Sequence, residues 1–237
     1  MTDLIMQLAG VIQHDMDTLR EVAQNVANAN TPGYKAARSF NALTLDMNKA
    51  SGPVGGMAAI ERQAALRQES GGLQQTGRLT DLALSGDAWF VVQTDSGEQL
   101  TRDGRFRLDT QGRLITQSGL FVLGQSGVIE VGPGVLTVDS AGQLKVDNEE
   151  VAQLKLVRFS DKSQIHVVGG GRYTTIAPLL PASNYMVYQG WLERSNAELG
   201  ADMVKIMEAS RHVESMQRAL SAYDSLLNSG INQLGKD

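Results

Sequence analysis

The chain has 237 residues, a formal net charge of −5 at pH 7 and no cysteine. This length is enough for one large domain or two small ones, each with a buried core. The acidic balance argues against a protein that mainly neutralises nucleic-acid phosphate, and the lack of cysteine excludes disulfides, Cys-based zinc sites and thiol nucleophiles.

The sequence has no feature typical of a membrane-inserted or Sec-exported protein. No stretch approaches the ~20 apolar residues of a membrane-spanning helix, so we expect no direct membrane insertion. The first residues lack the basic start and the apolar run of a secretory signal peptide. If the protein works outside the cytoplasm, we expect it to leave by a route that does not read such a signal.

The first predicted element is an amphipathic N-terminal helix of about six turns. Its apolar residues recur at spacings near three and four, with Asp15 as the one polar exception. Pro32 disfavours helical backbone at Thr31, so the helix is predicted to end near residues 28–30. The apolar positions are Ile5, Leu8, Ile12, Leu19, Val22, Val26 and Ala29.

The centre of the chain is predicted to be a connector followed by a β domain. Residues 46–80 are rich in Gly, Ala, Gln and Ser with weak periodicity, which favours an extended connector. From 81 to 185, short apolar runs alternate with turn dipeptides, as expected for a compact antiparallel β domain. Residues 108–114 and 138–144 share a pattern in which Asp opens a turn and Gly closes it, so both are predicted to be hairpins.

The C-terminal helix is predicted to run from about 198 to 228, with Ser229 and Gly230 ending or fraying it. Its apolar residues repeat every seven positions, with companions at the second heptad position. The repeat consists of Leu199, Ile206, Val213, Leu220, Leu227 and Leu234, and the companions are Ala209, Met216 and Tyr223. The predicted domains are therefore 1–45, 46–80, 81–185 and 186–237.

The sequence gives little sign of catalytic or metal chemistry. His14, His166 and His212 have no suitable companion nearby and are interpreted as structural. The run Gly169–Gly171 lacks the residues that accompany a phosphate-binding loop, and the acidic run Asp147–Glu150 lacks the ligand spacing of an EF-hand. We expect no catalytic, metal or cofactor site, no small-molecule substrate and no enzyme activity.

The two terminal helices are predicted to take part in assembly. Their apolar stripes need partners, and the simplest arrangement is an intramolecular two-helix coil. The stripes are broad, because Met203, Met207 and Ala219 lie beside the heptad positions of the second helix. Broad stripes favour a larger bundle with neighbouring copies or related subunits, although a groove for an unrelated helix is also open. The predicted class is α+β, with a coiled-coil-type helical bundle and a central all-β antiparallel domain.

Three motifs resemble those of one known family. Residues 25–35 closely resemble the N-terminal signature of the flagellar axial proteins, which form the rod and hook. Residues 84–92, followed by the turn at 101–104, resemble the start of that family's β domain, although Ala88 and Trp89 replace its commoner Gly and Phe. Residues 190–196 resemble the segment before its C-terminal assembly helix. The signature residues are Asn25, Asn28, Asn30, Thr31, Pro32, Gly33 and Tyr34.

The resemblance implies a structural subunit of the bacterial flagellar basal-body rod. Terminal helices would pack in the inner layers of a tube, with the β domain outside, and the subunit would transmit torque. The implied partners are its own copies, related rod subunits and the flagellar type III export apparatus, which would export it to the periplasm-spanning rod without a cleaved signal. Chain length favours the proximal-rod branch over the distal-rod branch. The alternative from another class is a secreted coiled-coil scaffold or adhesin with a ligand-binding β domain.

Overall fold

A computed structural model describes residues 2–44, 59–67, 69–161 and 165–234, without some side chains in those ranges. It separates the chain into two compact units. The helical unit combines residues 1–27 with 198–237, and the strand-rich unit contains residues 28–197. The α+β class with helical ends and antiparallel sheets at the centre is confirmed.

The helical unit consists of α1 (Thr2–Ala27) and α2 (Leu199–Leu234). The 36 residues of α2 give a helix roughly 54 Å long at ~1.5 Å per residue. The two helices pack against each other, and His212 Nδ1 of α2 lies 2.6 Å from Asp15 Oδ2 of α1. A helix pair is thus present, whereas the larger bundle remains a prediction. Neither helix, as far as it is described, is long and apolar enough to cross a membrane.

The predicted end of the C-terminal helix is wrong. Ser229 and Gly230 neither end α2 nor interrupt it, since the helix continues to Leu234. A glycine in a helix interior costs only about 1 kcal/mol relative to alanine. The heptad repeat continues through Leu227 to Leu234, so the apolar pattern that favours the helix extends past the glycine.

The strand-rich unit contains short strands, all paired antiparallel. They are β1 (Ala37–Thr44), β2 (Ala59–Leu66), β3 (Leu73–Gln75), β4 (Leu82–Gly86), β5 (Trp89–Thr94), β6 (Gly97–Thr101), β7 (Phe106–Leu108), β8 (Leu114–Thr116), β9 (Phe121–Gly124), β10 (Gly127–Val128), β11 (Leu136–Val138), β12 (Gln143–Val146), β13 (Glu149–Gln153), β14 (Leu156–Phe159), β15 (Ile165–Gly169), β16 (Arg172–Thr175), β17 (Leu179–Pro181), β18 (Tyr185–Gln189) and β19 (Trp191–Glu193). Within the predicted connector, β2 and β3 are extended and hydrogen-bonded, while residues 45–58 and 68 lie outside the described part.

The largest sheet has the order β15-β16-β6-β5-β9-β8-β7, with β10, β14 and β17 attached beside this path. Its central strand β5 is buried on both faces, because alternate side chains point to opposite sides. Phe90 and Val92 join one apolar cluster with Phe106, whereas Trp89 and Val91 join another. This two-sided burial explains the continuous apolar run at the start of β5.

The two predicted hairpins are confirmed. Asp109 Oδ1 accepts hydrogen bonds from the backbone N–H groups of Gln111 and Arg113, at 2.8 and 2.9 Å. Asp139 Oδ1 accepts from the equivalent N–H groups two and four residues later, both at 2.9 Å. Gly112 and Gly142 have φ values of 76° and 83°, which allow each loop to close.

Two strands near the end of the strand-rich unit's sequence pair with two strands near its beginning. β18 pairs with β4 in the register Val187 to Leu84, and β19 pairs with β3 in the register Leu192 to Gln74. The segment that precedes α2 in sequence is thereby hydrogen-bonded to the segment that opens the β domain. This return brings distant parts of the sequence to one place.

Candidate functional site

A fully buried carboxylate, Glu193, lies at the end of β19 and is only 1% exposed. Lys35 Nζ donates a hydrogen bond to Glu193 Oε1 at 2.6 Å, and Arg102 Nε lies 3.1 Å from Glu193 Oε2. The backbone N–H of Gly71 also donates to Oε1, at 3.1 Å. We call Glu193, Lys35 and Arg102 the Glu193 cluster. Both cations are buried, so two positive charges share one carboxylate away from water.

A tight turn at residues 28–34 places Lys35. The N–H of Thr31 donates to the Asn28 carbonyl at 3.0 Å, and the N–H of Tyr34 donates to the Thr31 carbonyl at 3.2 Å. Pro32 cannot donate a backbone hydrogen bond and disfavours helix before it, which suits a turn here. Tyr34 is 2% exposed, so the turn is anchored in the protein by an aromatic ring.

Gly33 is required by a close approach of two backbone segments. Its φ is 68°, and an added Cβ would lie 2.1 Å from the carbonyl carbon of Arg102. Its N–H donates to the Glu193 carbonyl at 2.7 Å. A side chain at this position would force apart the segments that carry two members of the Glu193 cluster.

Arg102 connects the Glu193 cluster to the beginning of the β domain. Its two terminal nitrogens donate to the carbonyls of Ala88 and Gly86, at 2.6 and 2.7 Å. Its guanidinium carbon lies 5.6 Å from the centroid of the Trp89 ring, within the range of a cation–π interaction. A single planar side chain thereby fixes the turn between β4 and β5.

Asn196 makes a second set of bonds between the same segments. Its Oδ1 accepts from the Ala36 N–H at 2.7 Å. Its Nδ2 donates to the carbonyls of Arg67 and Glu69, at 3.1 and 2.7 Å. The side chain thus acts as donor and acceptor between the chain before β1 and the chain after β2.

Burial dominates the electrostatics of the site. Desolvation lowers the pKa of Lys35 below its ordinary value, and the neighbouring Glu193 carboxylate opposes that shift. Desolvation also lowers the pKa of Arg102, again opposed by Glu193. Burial raises the pKa of Tyr173, whose hydroxyl oxygen accepts from the Lys35 N–H at 2.9 Å. Removal of Glu193 would leave two buried cations without their shared carboxylate.

The geometry is that of a structural junction. Glu193 and its two cations join the turn at 28–34, the turn at 101–104 and the segment 190–196, which are the parts that carry the three motifs. In the described part of the chain, no cluster of three or more His, Asp or Glu side chains is arranged to hold a metal ion. His14 and His166 are exposed, and His212 contacts Asp15 as described above.

The predicted signature residues divide between the two units, with Asn25 on α1 and residues 28–34 in the turn that leads to Lys35. Asn25 is buried, and Gly33 and Tyr34 are buried in the strand-rich unit. Thr31 and Pro32 are half-buried, and Asn28 is also half-buried, whereas Asn30 is exposed.

The predicted assembly residues lie on the two helices. On α1, Val22 is buried, whereas Ile12, Leu19 and Val26 are half-buried. Five of the predicted residues on α2 are half-buried, namely Ile206, Val213, Met216, Leu220 and Tyr223, while Leu199 is 43% exposed. The side chains of Ile5, Leu8 and Leu227 lie outside the described part.

Sequence reasoning did not assign roles to Lys35, Arg102 and Glu193. Each belongs to one of the quoted motifs, and their charges are complementary. A charged residue inside each of three motifs is the signal that could have suggested a buried ion cluster. Its geometry needs the return of β19 to β3, which is a long-range pairing.

Comparison with known families matches two segments of the chain. Residues 83–149 match the family described as flagellar hook protein FlgE/F/G D1 domain, and residues 188–234 match the family described as flagellar basal body rod FlgEFG protein C-terminal. Arg102 lies in the first segment and Glu193 in the second.

Whole-chain relatives give the decisive observation. The flagellar basal-body rod protein FlgF of Caulobacter vibrioides is 34% identical over 224 residues, covering 91% of each chain. The chain belongs to the flagellar basal-body rod protein family. FlgF of Rhizobium meliloti is 30% identical, covering 92% of this chain and 91% of its own. FlgG of Borreliella burgdorferi is 27% identical, covering 93% of each chain. Within the rod family the chain is FlgF-like.

The Glu193 cluster therefore contains one residue from each of the two segments that match family models. Lys35 precedes both segments, so the cluster joins the N-terminal signature to the rest of this rod-family chain. The relatives named above are basal-body rod proteins, and the predicted resemblance to rod and hook proteins is confirmed.

Proposed function

We propose that this rod-family chain is a structural subunit of the proximal flagellar rod and that it polymerises through its terminal helices. The supporting observation is a group of large apolar side chains exposed near the start of α2. These are Leu199, Met203, Val204 and Met207, which are 43–54% exposed. Exposed apolar side chains clustered on one element are typical of an interaction surface.

Two faces of α2 have different environments. The face that contains Ile206, Ala209 and Val213 is buried or half-buried. Met203 and Met207 follow Asp202 and Ile206 by one residue each, which turns them roughly 100° around the helix. The packing of α1 and α2 therefore leaves Met203 and Met207 open, and we propose that helices of neighbouring rod subunits cover them.

Covering these methionines would favour assembly. Complete burial of a methionine side chain is worth about 1.5–3 kcal/mol, so burying the exposed half contributes about 1 kcal/mol for each residue. The same surface repeated on every subunit makes a small gain per contact sufficient for a polymer. We extend the proposed interface along both helices to the residues predicted from sequence, including Ile5, Leu8 and Leu227.

Family membership supports further properties of this chain. We propose export through the flagellar type III apparatus, location in the periplasm-spanning rod, torque transmission as the activity, and no catalytic turnover, cofactor or nucleic-acid partner. We also keep the domain division 1–45, 46–80, 81–185 and 186–237 as a proposal. The Glu193 cluster would keep the strand-rich unit rigid under load.

The proposed function is tested by placing a charge in the exposed apolar group. Met207→Glu should prevent rod assembly, because a carboxylate would be desolvated at the interface. Gln217→Glu adds the same charge at an exposed polar position of α2 and should leave assembly intact. Basal bodies are counted by electron microscopy in cells that express each variant, and circular dichroism verifies that both variants fold. Normal rods with Met207→Glu would contradict the proposed interface.

A further inference from the structure

A cavity of about 250 Å³ lies in the strand-rich unit beside the Glu193 cluster. Four cationic residues line it, namely Lys35, Arg67, Arg102 and Arg158. One carboxylate, Asp87, also belongs to the lining. The volume is several times the ~30 Å³ share of one water molecule, so a small organic group fits inside.

The charges around the cavity do not balance. The single carboxylate of Glu193 pairs with both Lys35 and Arg102, at 2.6 and 3.1 Å. Arg67 lies 3.9 Å from the Glu69 carboxylate. Even with Glu193, Asp87 and Glu69 counted against the four cations, one positive charge is in excess among the described residues, in a chain whose net charge is −5. A cavity whose lining carries excess positive charge attracts anionic groups.

Two buried polar atoms at the cavity residues lack partners within the described part of the chain. They are the Nε donor of Arg158 and the Oδ1 acceptor of Asp87. A buried donor or acceptor without a hydrogen bond costs about 1–3 kcal/mol. A ligand that offers both an acceptor and an N–H donor would satisfy both atoms together.

Part of the lining is apolar. Trp89, Leu66 and Phe159 are all buried and contribute to the cavity wall. The Trp89 and Phe159 rings pack edge-to-face at 5.1 Å, which makes this wall rigid. An aliphatic stem would pack here while its charged end reaches the arginines.

We infer that the cavity is a docking site for an acidic peptide segment of a neighbouring rod subunit. The carboxylate of a Glu or Asp side chain would accept from Arg158, a backbone N–H of the segment would donate to Asp87, and the aliphatic stem would lie against Trp89. Charge-assisted hydrogen bonds of this type are about twice as strong as neutral ones. The identity of the partner as a rod subunit rests on the proposed function.

The binding chemistry is tested on the full-length monomer with glutarate as the probe. Nuclear magnetic resonance follows the indole N–H of Trp89, assigned with a Trp191→Phe variant, during titration at constant ionic strength. We expect a saturable shift with glutarate and none with its uncharged dimethyl ester, which keeps the acceptor oxygens but has neither a charge nor an N–H donor. Arg158→Gln should weaken glutarate binding at least tenfold, whereas Arg107→Gln, at an exposed position of β7, should leave it unchanged. The absence of a saturable shift in the wild-type protein would overturn the site.

A second measurement identifies the source of the carboxylate. Arg158→Gln should reduce the number of assembled rods, while Arg107→Gln should not. Normal assembly with Arg158→Gln, despite glutarate binding by the wild-type monomer, would overturn the assignment to a neighbouring subunit and leave a free anion as the ligand. Thermal unfolding of each variant verifies that the strand-rich unit is folded. The monomer titration does not depend on rod assembly, and Met207→Glu tests that proposed function separately.

Discussion

Replacing Glu193 with Gln should destabilise the strand-rich unit by about 3–5 kcal/mol, because it leaves two buried cations without a carboxylate. Lys35 Nζ lies 2.6 Å from Glu193 Oε1, and Arg102 Nε lies 3.1 Å from Oε2. Glutamine has nearly the same shape, so the change removes charge with little loss of packing. Domains have unfolding free energies of about 5–15 kcal/mol, so this loss is a large fraction of the total.

Urea unfolding monitored by tryptophan fluorescence measures the effect, since Trp89 lies over Arg102. Glu98→Gln is the matched control. Glu98 pairs with Lys155 at 2.6 Å, but their side chains are 39% and 35% exposed, so its loss should cost less than about 1 kcal/mol. The double variant Glu193→Gln/Lys35→Met should recover part of the stability, because it removes one uncompensated charge. A Glu193→Gln cost equal to that of Glu98→Gln would refute the reasoning.

Three further predictions concern backbone strain and pH. Gly33→Ala should lower the free energy of unfolding in urea by at least about 2 kcal/mol, because the φ of 68° and the nearby Arg102 backbone both oppose a side chain. An unchanged free energy of unfolding would count against the close approach. The pKa of Tyr173 is higher in the folded chain than in the unfolded chain, so the free energy of unfolding should fall as pH rises above about 10. The fall should be smaller in Tyr173→Phe, and equal slopes of unfolding free energy against pH in the two proteins would argue against this. The backbone N–H of Arg113 holds the pKa of Asp109 below its usual value, so the free energy of unfolding should fall as pH drops below about 4. The fall should be smaller in Asp109→Asn, and acid unfolding curves of the wild-type protein and the variant measure the difference.

Local patterns in the sequence predicted the elements well because short-range chemistry determines them. The Asp and Gly pattern of the two hairpins predicted both turns, since the Asp carboxylate and the positive φ of Gly act within a few residues. The proline at 32 placed the end of α1 close to Ala27 for the same reason. The end of α2 was predicted wrongly because the Ser229-Gly230 pair was weighted above a heptad repeat that continues past it.

The junction was beyond sequence reasoning because it depends on long-range pairing. Glu193 is 158 residues from Lys35 in sequence, and the two meet only because β19 returns to β3. A charged residue is ordinarily expected on the surface, so the burial of Lys35 and Arg102 contradicts the average behaviour of these residue types. The motifs indicated which residues matter for the family, and the structure shows how three of those residues meet.

As a member of the rod family, this chain is expected to be built into the flagellar rod as a structural subunit. Electron cryo-microscopy of basal bodies purified from cells that make the chain measures this incorporation. We predict density that fits the strand-rich unit within the rod, and incomplete rods in cells from which the chain has been deleted. Complete rods without the chain, or a rod in which no density fits it, would contradict the account.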